Sequence, residues 1–276
     1  MELGVYSLVT PDYRIREAAE LVAEVGFTGI EWTLDYPNAL WDGESNWHLD
    51  SGNLEESAAA AREAAEANGL TAVAIGARCG CFDPDQVAVA MRAAQLAGAK
   101  GVRVHAPGYD GSEPYEELFE RARQAYAALE PKARETGVKV WAEIHHGRII
   151  PSASAARRLL DGLDPDWIGV IYDPGNMINE GMENWRMGVD MLGPYLQHVH
   201  VKDCGWFRGE DGWQTRNMTL DEGMADWEGI IGALKDAGYE GFLHLEDFRS
   251  GYASVSDDLP TRQLLEEDYD YLTALL

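Results

Sequence analysis

The stretch YLQHVHVKD, residues 195–203, brings His198, His200, Lys202 and Asp203 together at the end of a short β-branched run. Alternate side chains of an extended strand share a face, so His198, His200 and Lys202 point one way while Val199, Val201 and Asp203 point the other. Imidazole and ammonium groups on one inward face are where a core should be, and they can bind an ion or move a proton. A solvated edge strand would show the same alternation, so the rest of the chain has to decide.

Three other predicted strands end in acids: Glu143 closes VWAE, Asp173 closes VIYD and Glu246 closes FLHLE. Taken alone, Asp173 before Pro174 and Gly175 can shape a turn, Glu246 and Asp247 can be a solvated strand end, and Glu143 can pair with Arg148. Brought together with His200, the three carboxylates would repel one another unless a cation supplied a common counter-charge. Three oxygen donors and one nitrogen suit one divalent metal ion, with Mn2+ first and Mg2+, Co2+ or Zn2+ as alternatives. An ion of that kind, chelating a carbonyl oxygen and the neighbouring hydroxyl, acidifies the C–H between them for removal by a carboxylate.

Such a meeting requires elements that end at one place. Strands are predicted at 3–8, 28–33, 70–77, 101–106, 138–146, 167–176, 195–203 and 241–248, with helical stretches between them. Helices are predicted from Tyr13 to Val25, Leu54 to Asn68, Asp83-Pro84 to Gly98, Pro114 to Thr136, from Ser152, from Trp227 to Ala237, and over 260–275. Asp12 and Asp83 are N-cap candidates, Pro84 suits a first turn, and Gly26, Gly69, Gly98 and Gly137 suit helix ends. A long loop after the second strand carries Trp41, Trp47 and His48, and a loop rich in Gly and Trp follows residue 203. Eight βα units in 276 residues predict an α/β chain folded as a single (β/α)8 TIM barrel, one domain over residues 1–276. An open doubly wound sheet is the alternative, but no G-x-G-x-x-G follows the first strand and no G-x-x-x-x-G-K-[ST] occurs.

Composition narrows the partners. With 22 Lys+Arg against 48 Asp+Glu the net charge is -26, which opposes nucleic acid and anionic membrane surfaces. The start MELGVYSLVTPDYR does not look like a leader, and no window approaches the roughly 20 apolar residues of a membrane span. A soluble cytoplasmic protein is expected. Cys79, Cys81 and Cys204 form no even framework and read as reduced thiols.

The motifs E-x-H at Glu143 and His145, YDPGN at 172–176, HVHVKD at 198–203 and LED at 245–247 resemble the metal-site motifs of the sugar phosphate isomerase/epimerase family. These xylose isomerase-like barrels include ketose 3-epimerases, hydroxypyruvate isomerase and inosose dehydratase, and GFTGIEW at 26–32 is similar to their second strand. The resemblance covers the whole chain and implies that Glu143, Asp173, His200 and Glu246 are the metal ligands. It further implies that Glu143 and Glu246 act as acid and base on opposite sides of a bound sugar. Two departures stand out against the ketose 3-epimerases, which hold their sugar with another histidine and an arginine-containing stretch. Here Asn176 stands three residues after Asp173, and the seventh strand runs on into Lys202 and Asp203.

Lys202 and His145 are therefore candidate catalytic groups, a grip on a substrate oxygen or an acid. His105, Asn176, Trp32, Trp206 and Arg208 are candidate substrate contacts, as are Trp41 and Trp213, since aromatic faces pack on sugar C–H surfaces. The expected activity is isomerisation or epimerisation of a ketose or related keto-sugar by proton abstraction beside a carbonyl. The alternative is a metal-dependent lyase or dehydratase, inosose dehydratase-like or eliminating from 3-keto-glycosides. A noncatalytic sugar-binding barrel and a DNA-repair endonuclease are weaker readings, the latter because it needs a histidine-rich multi-metal site and a basic face. The partner is a small sugar or keto-sugar, with a homo-oligomer compatible with the chain.

Overall fold

The structure, a computed structural model, describes residues 1–36, 48–210, 212–249 and 259–276. Trp41 and Trp47 lie outside the described residues. Strands β1 (Glu2–Tyr6), β2 (Gly29–Leu34), β3 (Thr71–Ala77), β4 (Gly101–Arg103), β5 (Lys139–Glu143), β6 (Ile168–Tyr172), β7 (Leu196–Val201) and β10 (Phe242–Leu245) close a parallel barrel. Strands β8 (Asp203–Gly209) and β9 (Gly212–Met218) form a separate antiparallel pair. Around the barrel run α1 (Ile15–Val25), α2 (Leu54–Ala67), α3 (Pro84–Ala97), α4 (Tyr115–Thr136), α5 (Ala153–Leu160), α6 (Pro174–Glu180), α7 (Trp185–Leu192), α8 (Trp227–Asp236) and α9 (Thr261–Leu275). Among the described residues no helix is long and apolar enough to cross a membrane.

Side-chain alternation explains both surfaces of the barrel wall. Leu3, Val5, Ile30, Trp32, Val140, Ala142, Val199, Val201, Leu243 and Leu245 belong to the large apolar cluster that the strands share with the helices. Burying these on the outer face supplies most of the packing energy, at about 25 cal/mol per Å2 of apolar surface. The residues between them turn inward. Low in the barrel, Val73, Ala74, Trp141 and Ile171 make a small apolar plug with Phe242 against it. Above it the interior is polar, unlike the branched apolar layers that usually fill such barrels.

Room for that polar interior comes partly from glycine. A Cβ on Gly4 would stand 2.1 Å from His244 Cδ2, so the absence of a side chain on β1 makes space for a ring from β10.

Several predicted boundaries move. Residues 173–176 leave the strand because Asp173 caps α6, its Oδ1 accepting from the Asn176 N–H at 2.8 Å, with Pro174 in the first turn. Strand β4 ends at Arg103, and His105 keeps only an isolated bridge to Gly80. Strand β5 ends at Glu143 and β7 at Val201. Where a Gly- and Trp-rich loop is predicted, the chain forms the β8/β9 pair, with Trp206 opposite Thr215, Phe207 opposite Gln214 and Arg208 opposite Trp213. Aromatic and β-branched residues at paired positions support such a ladder despite the glycines at its ends.

Candidate active site

Glu143, Asp173, His200 and Glu246 meet at the C-terminal mouth of the barrel, where loops after parallel strands converge. Each can offer one donor atom, these atoms all lie within 4.8 Å of one another, and all four residues are buried. Glu143 is delivered by the end of β5, Asp173 by the start of α6 and His200 by β7. Glu246 follows β10 and is held by its own N–H, which donates to the Val201 carbonyl at 2.8 Å. The His200 Nδ1 faces Glu143 Oε1 at 3.1 Å, Glu246 Oε2 at 3.5 Å and Asp173 Oδ2 at 3.9 Å.

Two permanent cations enter this cluster. The Lys202 ammonium lies 2.5 Å from Glu246 Oε2 and 2.9 Å from Asp173 Oδ2. The Arg103 guanidinium, on the inner face of β4, lies 3.5 Å from Glu143 Oε1 and 3.7 Å from Glu246 Oε1, and it donates to the hydroxyls of Tyr6 and Tyr36. Burial opposes ionisation throughout, but the outcome differs by neighbour. Burial pushes Asp173 up to about 7 despite Lys202, whereas Lys202 and His200 outweigh burial at Glu246 and hold it at about 2. Glu143 is lowered well below the usual carboxylate range, Arg103 overcoming burial there. The carboxylates of Glu31 and Glu246, with the hydrogen bond that Glu143 accepts from His200, raise His200 in spite of its burial.

The residues fit a divalent ion. Beneath the four donors lies a further buried acid, Glu31, so among the described residues the acids here outnumber the permanent cations Lys202 and Arg103, which favours a bound cation. Glu143 Oε2 is buried without a hydrogen-bond partner, 3.5 Å from the equally unpartnered Nδ1 of His105. Unpaired buried carboxylate oxygens are costly and call for a ligand.

Beside the donors opens a cleft of about 680 Å3, lined in part by His145, His146, Asn176, Lys202, Phe207 and Phe248. Asn176 is fixed there, its Nδ2 donating to Asp173 Oδ2 at 2.7 Å and to the Ile144 carbonyl at 3.1 Å, its Oδ1 2.9 Å from His146 Nδ1. His145 packs edge-on to His105 with ring centres 6.0 Å apart. Trp32, Trp206, Arg208 and Trp213 lie outside the cleft lining. Trp32 is fully buried among the outward residues of β2, edge-on to His48, because its place in the strand alternation points it at the helices. Trp206 does not line the cleft; its indole N–H donates to the Ile178 carbonyl at 2.8 Å and ties the β8/β9 pair to α6. Arg208 is exposed on that pair, opposite Trp213, and is also outside the cleft lining. Arg148 donates to the Ala106 carbonyl rather than pairing with Glu143.

Sequence reasoning missed Glu31, Arg103 and His244, all buried in the barrel interior. Their signal was present, since each occupies an inward position of an otherwise apolar strand, in GIEW, GVRV and FLHL. What was missing was the knowledge that these separate strands face one another.

A family model, described as the xylose isomerase-like TIM barrel, matches residues 19–275. The chain belongs to this family, a class of α/β barrels. An inosose dehydratase of Lacticaseibacillus casei is 23% identical over 139 residues, 46% of this chain and 46% of that protein. The chain thus spans about half the length of the curated relatives it matches. Among solved structures, the 3-keto-D-glucoside 4-epimerase YcjR of E. coli superposes with a TM-score of 0.75 at 17% identity, over 99% of each chain. The IOLI protein with a binding zinc atom gives a TM-score of 0.77 at 16% identity, over 100% of this chain and 98% of that one. Those two likenesses are likenesses of fold. The site has the composition of a metal centre.

Proposed function

We propose that this chain, as one barrel domain, is a divalent-metal-dependent isomerase or epimerase that removes a proton beside the carbonyl of a ketose or related keto-sugar. The observation that carries the reading is the convergence of two glutamates, one aspartate and one histidine into a buried donor set beside an open cleft. Glu143, Asp173, His200 and Glu246 would hold the ion, which supplies Lewis acidity to a bound carbonyl. The named relatives, an epimerase and a dehydratase of sugar-like substrates, agree with a small keto-sugar as substrate.

The protein's own groups then divide the proton work. Glu143 and Glu246 are kept ionised by Arg103, Lys202 and His200, so either can accept a proton from carbon. Return of the proton to the opposite face of the same carbon epimerises; return to the adjacent carbon isomerises. His145 and Asn176, which line the cleft, and His105, beside Glu143, would hold substrate hydroxyls. Mn2+ is the first ion to test, since three carboxylate oxygens and one imidazole suit it.

One observation favours a second reading. Lys202 carries a proton at the cleft, between Asp173 and Glu246, and a β-elimination needs such an acid for its leaving group. Incubation of the manganese-loaded protein with ketoses and 3-keto-glucosides in deuterated water, followed by mass spectrometry, separates the two. Deuterium uptake with the mass otherwise retained supports isomerisation or epimerisation. Loss of water or of an aglycone supports the lyase, and no exchange with any of these substrates would refute both.

A further inference from the structure

Below the four donors, one layer deeper in the barrel, three imidazoles gather on a single carboxylate oxygen. Glu31 Oε2 lies 2.9 Å from His198 Nε2, 3.0 Å from His200 Nε2 and 3.2 Å from His244 Nδ1. All four side chains are buried, and neither Glu31 nor the two deeper histidines touches the cleft. An ionised group in that position is costly, and apolar side chains would fill the space at less expense. The fold alone gives no reason to keep it.

We propose that Glu31 is a positioning residue that fixes the ring orientation and tautomer of His200 for the metal. A neutral imidazole has one N–H and one lone pair, and the bond made by one nitrogen decides which it presents at the other. A carboxylate at Nε2 selects the Nε2–H form. The lone pair then lies on Nδ1, the nitrogen that faces Glu143, Glu246 and Asp173. Tyr6 lies nearly parallel to the ring, with 5.6 Å between centres and 15° between planes, which leaves little freedom to flip. His198 and His244 hold the carboxylate in turn, and His198 is itself stacked on Trp141 at 5.0 Å. Glu31, His198 and His244 also form a donor group that could take an ion of its own. Hydrogen bonds describe them better, because the three ring nitrogens converge on one oxygen and not on a vacant point.

The inference rests on the metal centre proposed above, and metal binding tests the two separately. Equilibrium dialysis of Mn2+ against the wild-type protein, Glu31→Gln and His200→Ala should give about one ion per wild-type chain. Glu31→Gln should bind roughly 10–100-fold more weakly, with unchanged circular dichroism. Long-range 15N–1H spectra of the zinc-loaded wild-type protein should show His200 protonated at Nε2 only. Unweakened binding by folded Glu31→Gln overturns the inference and leaves the metal centre standing, as does the Nδ1–H form of His200. Two ions per chain, one lost in His244→Ala, overturns it in favour of a ligand role for Glu31. No ion on the wild-type protein overturns both. Should Glu31→Gln not fold, the spectra on the wild-type protein still decide.

Discussion

The Lys202 ammonium stands 2.5 Å from Glu246 Oε2 inside the barrel mouth, and the same nitrogen is 2.9 Å from Asp173 Oδ2. A lysine just past the end of β7 thus neutralises two of the carboxylates that would hold a divalent ion. Removing it leaves buried charge unpaired, and Lys202→Met should destabilise the metal-free protein by roughly 3–5 kcal/mol. Saturating Mn2+ should recover more stability in this variant than in the wild type. Urea unfolding with and without metal reads both quantities. Equal midpoints for the two metal-free proteins would show that the pair is not one the fold depends on.

Glu246→Gln keeps the shape of the side chain but removes its charge and its basicity. Turnover should fall by about 10²–10⁴-fold, the usual contribution of a positioned acid or base. The far-ultraviolet circular dichroism should be unchanged, since glutamine matches the shape of the side chain and Glu246 follows β10 at the barrel mouth. Wild-type turnover in this variant would remove Glu246 from the mechanism.

Acid should weaken the metal-free fold. His48, His105 and His244 are each held at about 3, chiefly by burial, against about 6.5 in an unfolded chain. A depressed folded-state value contributes stability that is present above the unfolded pKa and lost as pH falls toward the folded one. His145 and His198 are lowered in the same sense, again by burial first. Asp173, raised to about 7, and His200, also raised, act oppositely and lose their contribution as pH rises. Asp203, raised to about 6, and Asp268, also raised by burial, act in that same opposite sense. Five lowered imidazoles thus stand against four raised groups, and stability should drop by about 1–3 kcal/mol between about pH 6.5 and 4.5. Denaturant midpoints across that range check it, and a level profile contradicts it.

Gly4→Ala should be disruptive although it adds one methyl group. That methyl would meet His244 Cδ2 at 2.1 Å and Nε2 at 2.2 Å, with the Gly29 carbonyl at 3.0 Å behind. Overpacking of this kind costs about 1–3 kcal/mol, and displacement of His244 should also loosen its contact with Glu31. Calorimetry reads the first effect. An unshifted melting temperature would mean that the ring has free space to retreat into.

Much of the barrel was legible because repeated apolar strands and capped helices are local patterns. Asp83 with Pro84 and the glycine at Gly98 mark α3 within a residue or two, since capping chemistry acts over one turn. The meeting of the candidate donors Glu143, Asp173, His200 and Glu246 was legible for a related reason, each being a polar residue at or near the end of an apolar strand. The β8/β9 pair was not, because its glycines and exposed aromatics resemble a loop until the two segments lie side by side. Trp32 was misplaced because a strand's sequence does not say which of its two faces meets the helices.

Sequence by itself therefore determined the βα repeat, the polar strand ends and the family likeness, all of which depend on residues close together in the chain. The tertiary structure alone decided that Arg103 reaches both Glu143 and Glu246, and that Glu31 of β2 receives three histidines from β7 and β10. Those partners are separated by 40 to 213 positions in sequence. Closure of the barrel is what brings them within hydrogen-bond reach, and burial there is what gives each such contact its electrostatic strength.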